Sequence, residues 1–186
     1  MDEKATTVLT KYLGDMHSLE SHGLQAVKRQ ADQLKDSGHP EAQAAVEQFK
    51  QTLEAHVSAL EGRLNALGGS ATHPVKEAVA AAAGVVAGIY NAVRSEEASK
   101  SIRDDYTFFS HSSIAYLMLH TTAQSLGDSG TAMLAERGYR DMARLILLID
   151  KLMPQLVIAE LKGDALPAND VSSDCARMIT EAWTRP

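Results

Sequence analysis

"THPVKEAVAAAAGVVAGIYNAVRSEEAS", residues 72–99, is the stretch whose reading decides the fold. Its apolar run over residues 78–90 is shorter than the roughly 20 residues a spanning helix needs, and it is built mainly of alanine and glycine. Pro74 near the start and Ala, Val and Gly inside predict a shorter helix whose small residues let it lie close against a neighbour. Long segments with a helical period stand on either side. Such a long link between the second and third long helices is what a bundle with one crossover requires, as opposed to simple up-and-down winding.

Working outward, the first long helix is predicted over about residues 5–35, where Leu9, Leu13, Met16, Leu19, Leu24, Val27 and Leu34 recur mostly at three- and four-residue steps. "DSGHP" ends it, with Gly38 suited to positive φ and Pro40 to the first turn of the next helix. The second, over residues 41–67, repeats Val46, Phe49, Leu53, Val57, Leu60 and Leu64 and stops at "GGS". The third covers about residues 99–127, with Ile102, Tyr106, Phe109, Tyr116 and Leu119. The fourth starts near residue 130 with Leu134, Gly138, Met142, Leu145 and Leu148, and Pro154 is expected to kink or end it. These elements predict an all-α, four-helix bundle over residues 1–163. Residues 164–186 read as a loop followed by a short helix or tail.

The chain has 186 residues, 45% of them hydrophobic and only 5% aromatic, which suits one helical domain. A net charge of −6 with acids spread along the chain speaks against a nucleic-acid partner, which needs a concentrated basic face. One cysteine, Cys175, permits no internal disulfide, and the first residues lack a secretory pattern, so the expected location is the cytoplasm with no membrane partner.

Polar residues on core stripes are the candidates for chemistry. Glu20 lies between Met16 and Leu24 at four-residue spacing and is expected to face inward. In "QTLEAHVSALEGRL", residues 51–64, His56 stands with Phe49, Leu53 and Leu60, whereas Glu54 shares the solvated face of Glu47 and Glu61. Glu54 and His56 diverge by about 200° around the helix and cannot chelate one ion together. On the fourth helix Asp141 shares a face with Gly138 and Leu145, with Arg137, Arg140 and Arg144 nearby. The preferred reading is a salt-bridged polar layer in which those arginines hold the inward acids. The alternative is a metal site built from Glu20, His56 and Asp141. The third helix offers Ser112, Ser113 and Tyr116 on its core stripe and no carboxylate there, and no nucleophile motif surrounds the serines. Met118 and Met133 are expected to fill core gaps with the other methionines.

"YLGDMHSLESHGLQAVKRQ", "FKQTLEAHVSALEGRLNALG" and "HSSIAYLMLHTTAQSLGD", in that order with a small-residue helix between the second and third, resemble the ferritin-like family that includes the bacterial stress-induced YciE and YciF proteins. The resemblance covers roughly residues 12–161 and implies a di-iron bundle that pairs as a dimer. In such bundles one glutamate projects inward from each of two helices and a Glu-x-x-His pair from each of the others. Glu20 matches the first-helix acid. This chain departs elsewhere: Leu53 stands three residues before His56, "FSHSS" occupies the third helix, and Arg140 with Asp141 occupies the fourth.

The expected function is therefore a degenerate ferritin-like bundle, a non-catalytic stress-associated binding or assembly protein without a cofactor. A metal-dependent iron oxidase or ferroxidase with an atypical site is the alternative. The expected partners are a second copy of the chain and an unidentified small ligand or protein, with the small-residue segment 79–89 as a candidate seam.

Overall fold

The computed structural model describes residues 2–35, 37–69, 76–90 and 98–184. Pro74, together with Asp36 and Ser70 of the two breaks, lies outside them. Among the described residues the chain is all-α: α1 (Glu3–Leu34), α2 (Pro40–Ala66), α3 (Lys76–Tyr90), α4 (Ala98–Ser125), α5 (Ser129–Gly163) and α6 (Ser172–Thr184). The four long helices α1, α2, α4 and α5 are the predicted ones, and α3 is the helix of the crossover.

Local chemistry marks the boundaries where the sequence places them. Asp2 caps α1 by accepting a hydrogen bond from the Ala5 amide at 2.7 Å. Gly38 (φ +77°) and Gly68 (φ +78°) take the left-handed backbone that lets the chain leave α1 and α2. Asp128 caps α5 through the Thr131 amide at 3.1 Å and also receives Arg63 from the end of α2, at 2.6 Å to Oδ2. Burial alone would raise the Asp128 carboxyl, but Arg63 and Thr131 outweigh it and hold the pKa below the ordinary value. That joint ties the α4–α5 turn to the far end of the α1–α2 hairpin.

Helix directions follow from which residues meet. Glu20 meets His56 while Thr10 lies beside Gly69, so α1 and α2 are antiparallel. Gly23 meets Phe108 and Gln30 meets Ser101, so α1 and α4 are antiparallel. His120 meets the Ala132 carbonyl and Ser99 meets Glu160, which makes α4 and α5 antiparallel. Hence α2 and α4 run the same way, and the connection between them must travel the length of the bundle. Helix α3 does part of that climb, packed along α1 and touching α4. Ala82 and Val86 are buried against the bundle, whereas Gly84 and Gly88 face outward.

The core is layered. Phe49, Phe108 and Phe109 make an aromatic layer, with Phe49 and Phe109 edge to face at 5.0 Å between centroids. Phe108 lies directly on the α1 backbone because residue 23 has no side chain: a Cβ there would sit 2.0 Å from the Phe108 Cζ. Helices α1 and α4 approach closely at that point for the same reason.

Of the two outcomes open at Pro154, α5 does not end there but runs through it to Gly163, where the bundle is predicted to stop, and Leu152, Leu156 and Ile158 continue the buried stripe across the proline. One sequence expectation changes. Met118 and Met133 are 52% and 69% exposed, so they fill no core gap: their neighbours Leu119 and Ala132 take the inward positions. The C-terminal segment forms a helix, α6, with no residue buried.

Replacing Gly23 by alanine is expected to lower the unfolding free energy by about 1–3 kcal/mol, the usual cost of overpacking. A urea denaturation series comparing wild type with Gly23→Ala checks it, and equal midpoints would contradict the close α1–α4 contact.

Candidate functional site

Each long helix contributes one polar side chain to a layer near the middle of the bundle. Glu20 on α1 is fully buried, held inward by Met16 one turn before it. His56 on α2 is 7% exposed, with Leu53 and Leu60 completely buried on the same face. Tyr116 comes from α4 and is 1% exposed, and the Asp141 side chain on α5 is 19% exposed.

His56 is the centre of this layer. Its Nδ1 lies 3.3 Å from Glu20 Oε2 and 3.1 Å from the Tyr116 hydroxyl, while its Nε2 lies 3.3 Å from Asp141 Oδ2. The Tyr116 ring meets the imidazole edge to face, with centroids 5.4 Å apart. Burial opposes a charge on the ring, but the hydrogen bonds and charges of Glu20 and then Asp141 outweigh it, and the pKa rises above 6.5. A protonated imidazole donates from both nitrogens, one to each carboxyl group. Burial, followed by the charges of Glu20 and Asp141, pushes the Tyr116 phenol well above its ordinary value, so it stays neutral.

The three residues singled out from the sequence thus meet, although not by converging on one point. The imidazole stands between the carboxyl groups, each of its nitrogens engaged by one of them. Of the three arginines, Arg144 reaches Asp141 at 2.7 Å and Arg137 at 3.7 Å, whereas Arg140 pairs with Glu136. Glu20 is held by His56 and by none of these arginines, because they stand on the outer side of α5. Glu54 bonds Lys28 at 2.8 Å on the surface, as its helical position requires.

This donor set does not fit a two-metal centre. Leu53 stands where the second helix would carry a carboxylate three residues before His56, and it is fully buried. Gly138 stands three residues before Asp141, and a Cβ there would lie 2.4 Å from Tyr116 Cε1, so the tyrosine ring takes the space a ligand side chain would use. Among the described residues no group of three or more His, Cys, Asp and Glu side chains is arranged to hold a metal ion. Among the described residues three buried side-chain atoms have no hydrogen-bond partner, Glu20 Oε1 and Ser112 Oγ near this layer and Gln30 Oε1 further along α1. A recess of about 480 Å³ between α2 and α5 opens onto His56, Tyr116 and Asp141, with Ala55, Ala59 and Met133 in its walls and Arg137 at its edge.

A second polar layer lies on the other side of the aromatic one. Asp105 on α4 is fully buried; the Tyr90 hydroxyl of α3 donates to its Oδ1 and the Gln30 amide of α1 to its Oδ2, both at 2.7 Å. Burial raises the Asp105 carboxyl from 3.8 to about 7, with Tyr90 and Gln30 pulling the other way. The signal was in the sequence, since Asp105 sits between Ile102 and Phe109 at three- and four-residue steps, but a lone acid on an apolar stripe does not name its partners. Tyr116 was legible only as a core residue.

The model of a family described as a domain of unknown function (DUF892) matches residues 4–161. No curated protein and no solved structure matches the chain. The matched span holds α1 and α2, the crossover helix, α4 and nearly all of α5, and it leaves α6 outside.

Both titrating layers favour acidic pH. An imidazole held above its unfolded value stabilises the fold below that value, and the contribution is lost as pH rises through the folded pKa. A carboxyl raised from 3.8 to about 7 keeps a proton in the folded chain that the unfolded chain has released, so stability falls as pH climbs across that window. Urea midpoints are expected to be higher at pH 5 than at pH 8, and Asp105→Asn and His56→Gln should each shrink the difference. A midpoint that rises with pH would refute this assignment.

Proposed function

The chain belongs to the DUF892 family, and on that footing we propose that it is a degenerate ferritin-like bundle acting as a non-catalytic, stress-associated binding or assembly protein of the cytoplasm. The observation that carries this reading is the state of His56, whose two ring nitrogens are each engaged by a carboxyl group. An imidazole with a carboxyl group against each nitrogen serves as a link in a polar layer. The ferritin-like part is supported by the crossover between parallel helices α2 and α4 and by the match of Glu20 to the first-helix acid. Among the described residues no helix is long and apolar enough to cross a membrane, which agrees with binding in water.

The recess beside His56 supports a binding role. Its walls are apolar and lined by small residues, while Asp141 and Arg137 offer a hydrogen-bond acceptor and a cation at the opening. A ligand with an apolar body and one polar end matches that distribution.

A second reading, an iron oxidase with an atypical site, is favoured by one observation. Glu20 Oε1 is buried without a partner, which is costly unless something occupies the space beside it.

Elemental analysis of protein purified without added metal, followed by iron(II) oxidation assays, separates the two. Far less than one iron per chain and oxidation no faster than buffer are expected. Two irons per chain, with oxidation lost in Glu20→Ala and kept in Glu54→Ala, would establish the second reading instead.

A further inference from the structure

The recess beside His56 is a slot tied off at both ends, because α2 and α5 are fastened at two levels. At one, His56 meets Asp141. At the other, Arg63 meets Asp128 and Thr131, and its guanidinium lies against Gly130: a Cβ on that glycine would sit 3.0 Å from the Arg63 Cζ. Between these ties the α2 side chains that could fill the seam are small. Ala55 and Ala59 line it and stay exposed, as does Met133 of α5, and a volume of about 480 Å³ is left between the helices. From Arg137 to Gly130 the slot follows two turns of α5, about 10 Å at the helical rise.

Those ends decide the size of the occupant. A helix or strand of another protein laid along the seam would run into the Arg63–Asp128 pair on one side and the His56–Asp141 pair on the other. A small molecule with a short apolar body meets neither, and the volume lies in the range of small-ligand pockets.

Charge decides its polar end. The acids around the slot already face cations of their own: Asp141 bonds Arg144 at 2.7 Å, Glu136 bonds Arg140 at 2.6 Å and Asp128 bonds Arg63 at 2.6 Å. Glu20 is fully buried on the far side of the imidazole, while Glu54 and Glu61 of α2 turn toward Lys28 and His17 of α1. Arg137 differs. Its Nε stands 3.7 Å from Asp141, too far for a hydrogen bond, and among the described residues its terminal nitrogens have no partner. The Thr52 hydroxyl, also in the lining, gives its proton to the Gln48 carbonyl at 2.9 Å. The donors left at the opening are those of one guanidinium, a planar fork that matches a carboxylate.

We propose that the slot binds an aliphatic carboxylate, its carboxylate on Arg137 and its chain of about eight carbons lying past Ala59 and Met133 toward Gly130. The Arg137 side chain is 80% exposed, so no packing holds it away from the opening. The alkyl chain would take water off the exposed alanines and Met133, and the Arg63 guanidinium at the far end is spent on Asp128 and Thr131, which leaves one orientation. The inference rests on the binding role proposed above and gives it a ligand class.

An NMR titration of the isotope-labelled full chain with sodium octanoate is expected to shift the amides of Ala55, Ala59 and Met133, with a dissociation constant on the order of 0.1 mM. Octanol and octylamine should bind roughly tenfold more weakly. Arg137→Glu should turn the preference toward octylamine, which a loss of folding cannot mimic. Ala59→Trp, at an exposed position, should remove octanoate binding and leave the helical spectrum unchanged. Shifts confined to another face, or no binding of octanoate at millimolar concentration, would overturn the proposal. So would octanoate binding that survives Ala59→Trp, or a preference that Arg137→Glu leaves as it was. Octanol or octylamine held in the same slot as tightly as octanoate would overturn the carboxylate assignment while keeping a binding role. Iron in the purified protein, measured separately, is what would remove that role.

Discussion

An imidazole buried where four helices meet must have both of its nitrogens satisfied, and the rest of this structure is arranged around that demand. Leaving either nitrogen without a partner in the core would cost free energy comparable to a good hydrogen bond or more. Glu20 and Asp141 meet the requirement from opposite sides, and they come from helices that do not otherwise pack on each other. His56 therefore holds α1, α2 and α5 in one register, and Tyr116 adds α4 to it. A buried polar layer of this type contributes little net stability while penalising any shift of one helix past another.

The aromatic layer next to it works by volume. At Gly23 and Gly138 a ring lies against a helix backbone, Phe108 on the first and Tyr116 on the second. Both rings come from α4, so α4 is drawn against α1 at one level and α5 at another. The same Tyr116 that bonds His56 also fills the space beside Gly138. Its geometry thereby links the polar layer to the absence of a side chain on α5.

Beyond the aromatics, the Asp105 layer fastens the crossover. Helix α3 has few polar anchors among its described residues, and the Tyr90 hydroxyl is the one that reaches the core. The carboxyl it meets is strained electrostatically, since burial without a cation raises its pKa to about 7. The crossover is thus attached through a group that titrates near neutrality, on the opposite side of the aromatics from another that titrates above 6.5.

Local pattern was sufficient for the helices and their ends, because the 3.6-residue period and the turn chemistry of Gly38 and Gly68 act over a few residues. The same period placed Glu20, His56 and Asp141 on inward faces and Glu54 outward. It left Tyr116 looking like any core aromatic and did not single out Asp105. What tertiary structure alone decided is which inward groups meet: His56 finds Glu20 36 residues away and Asp141 85 residues away. That pairing depends on how far each helix slides along its neighbour, a quantity set by Phe108 on Gly23 and Tyr116 on Gly138. No property of a single helix records it.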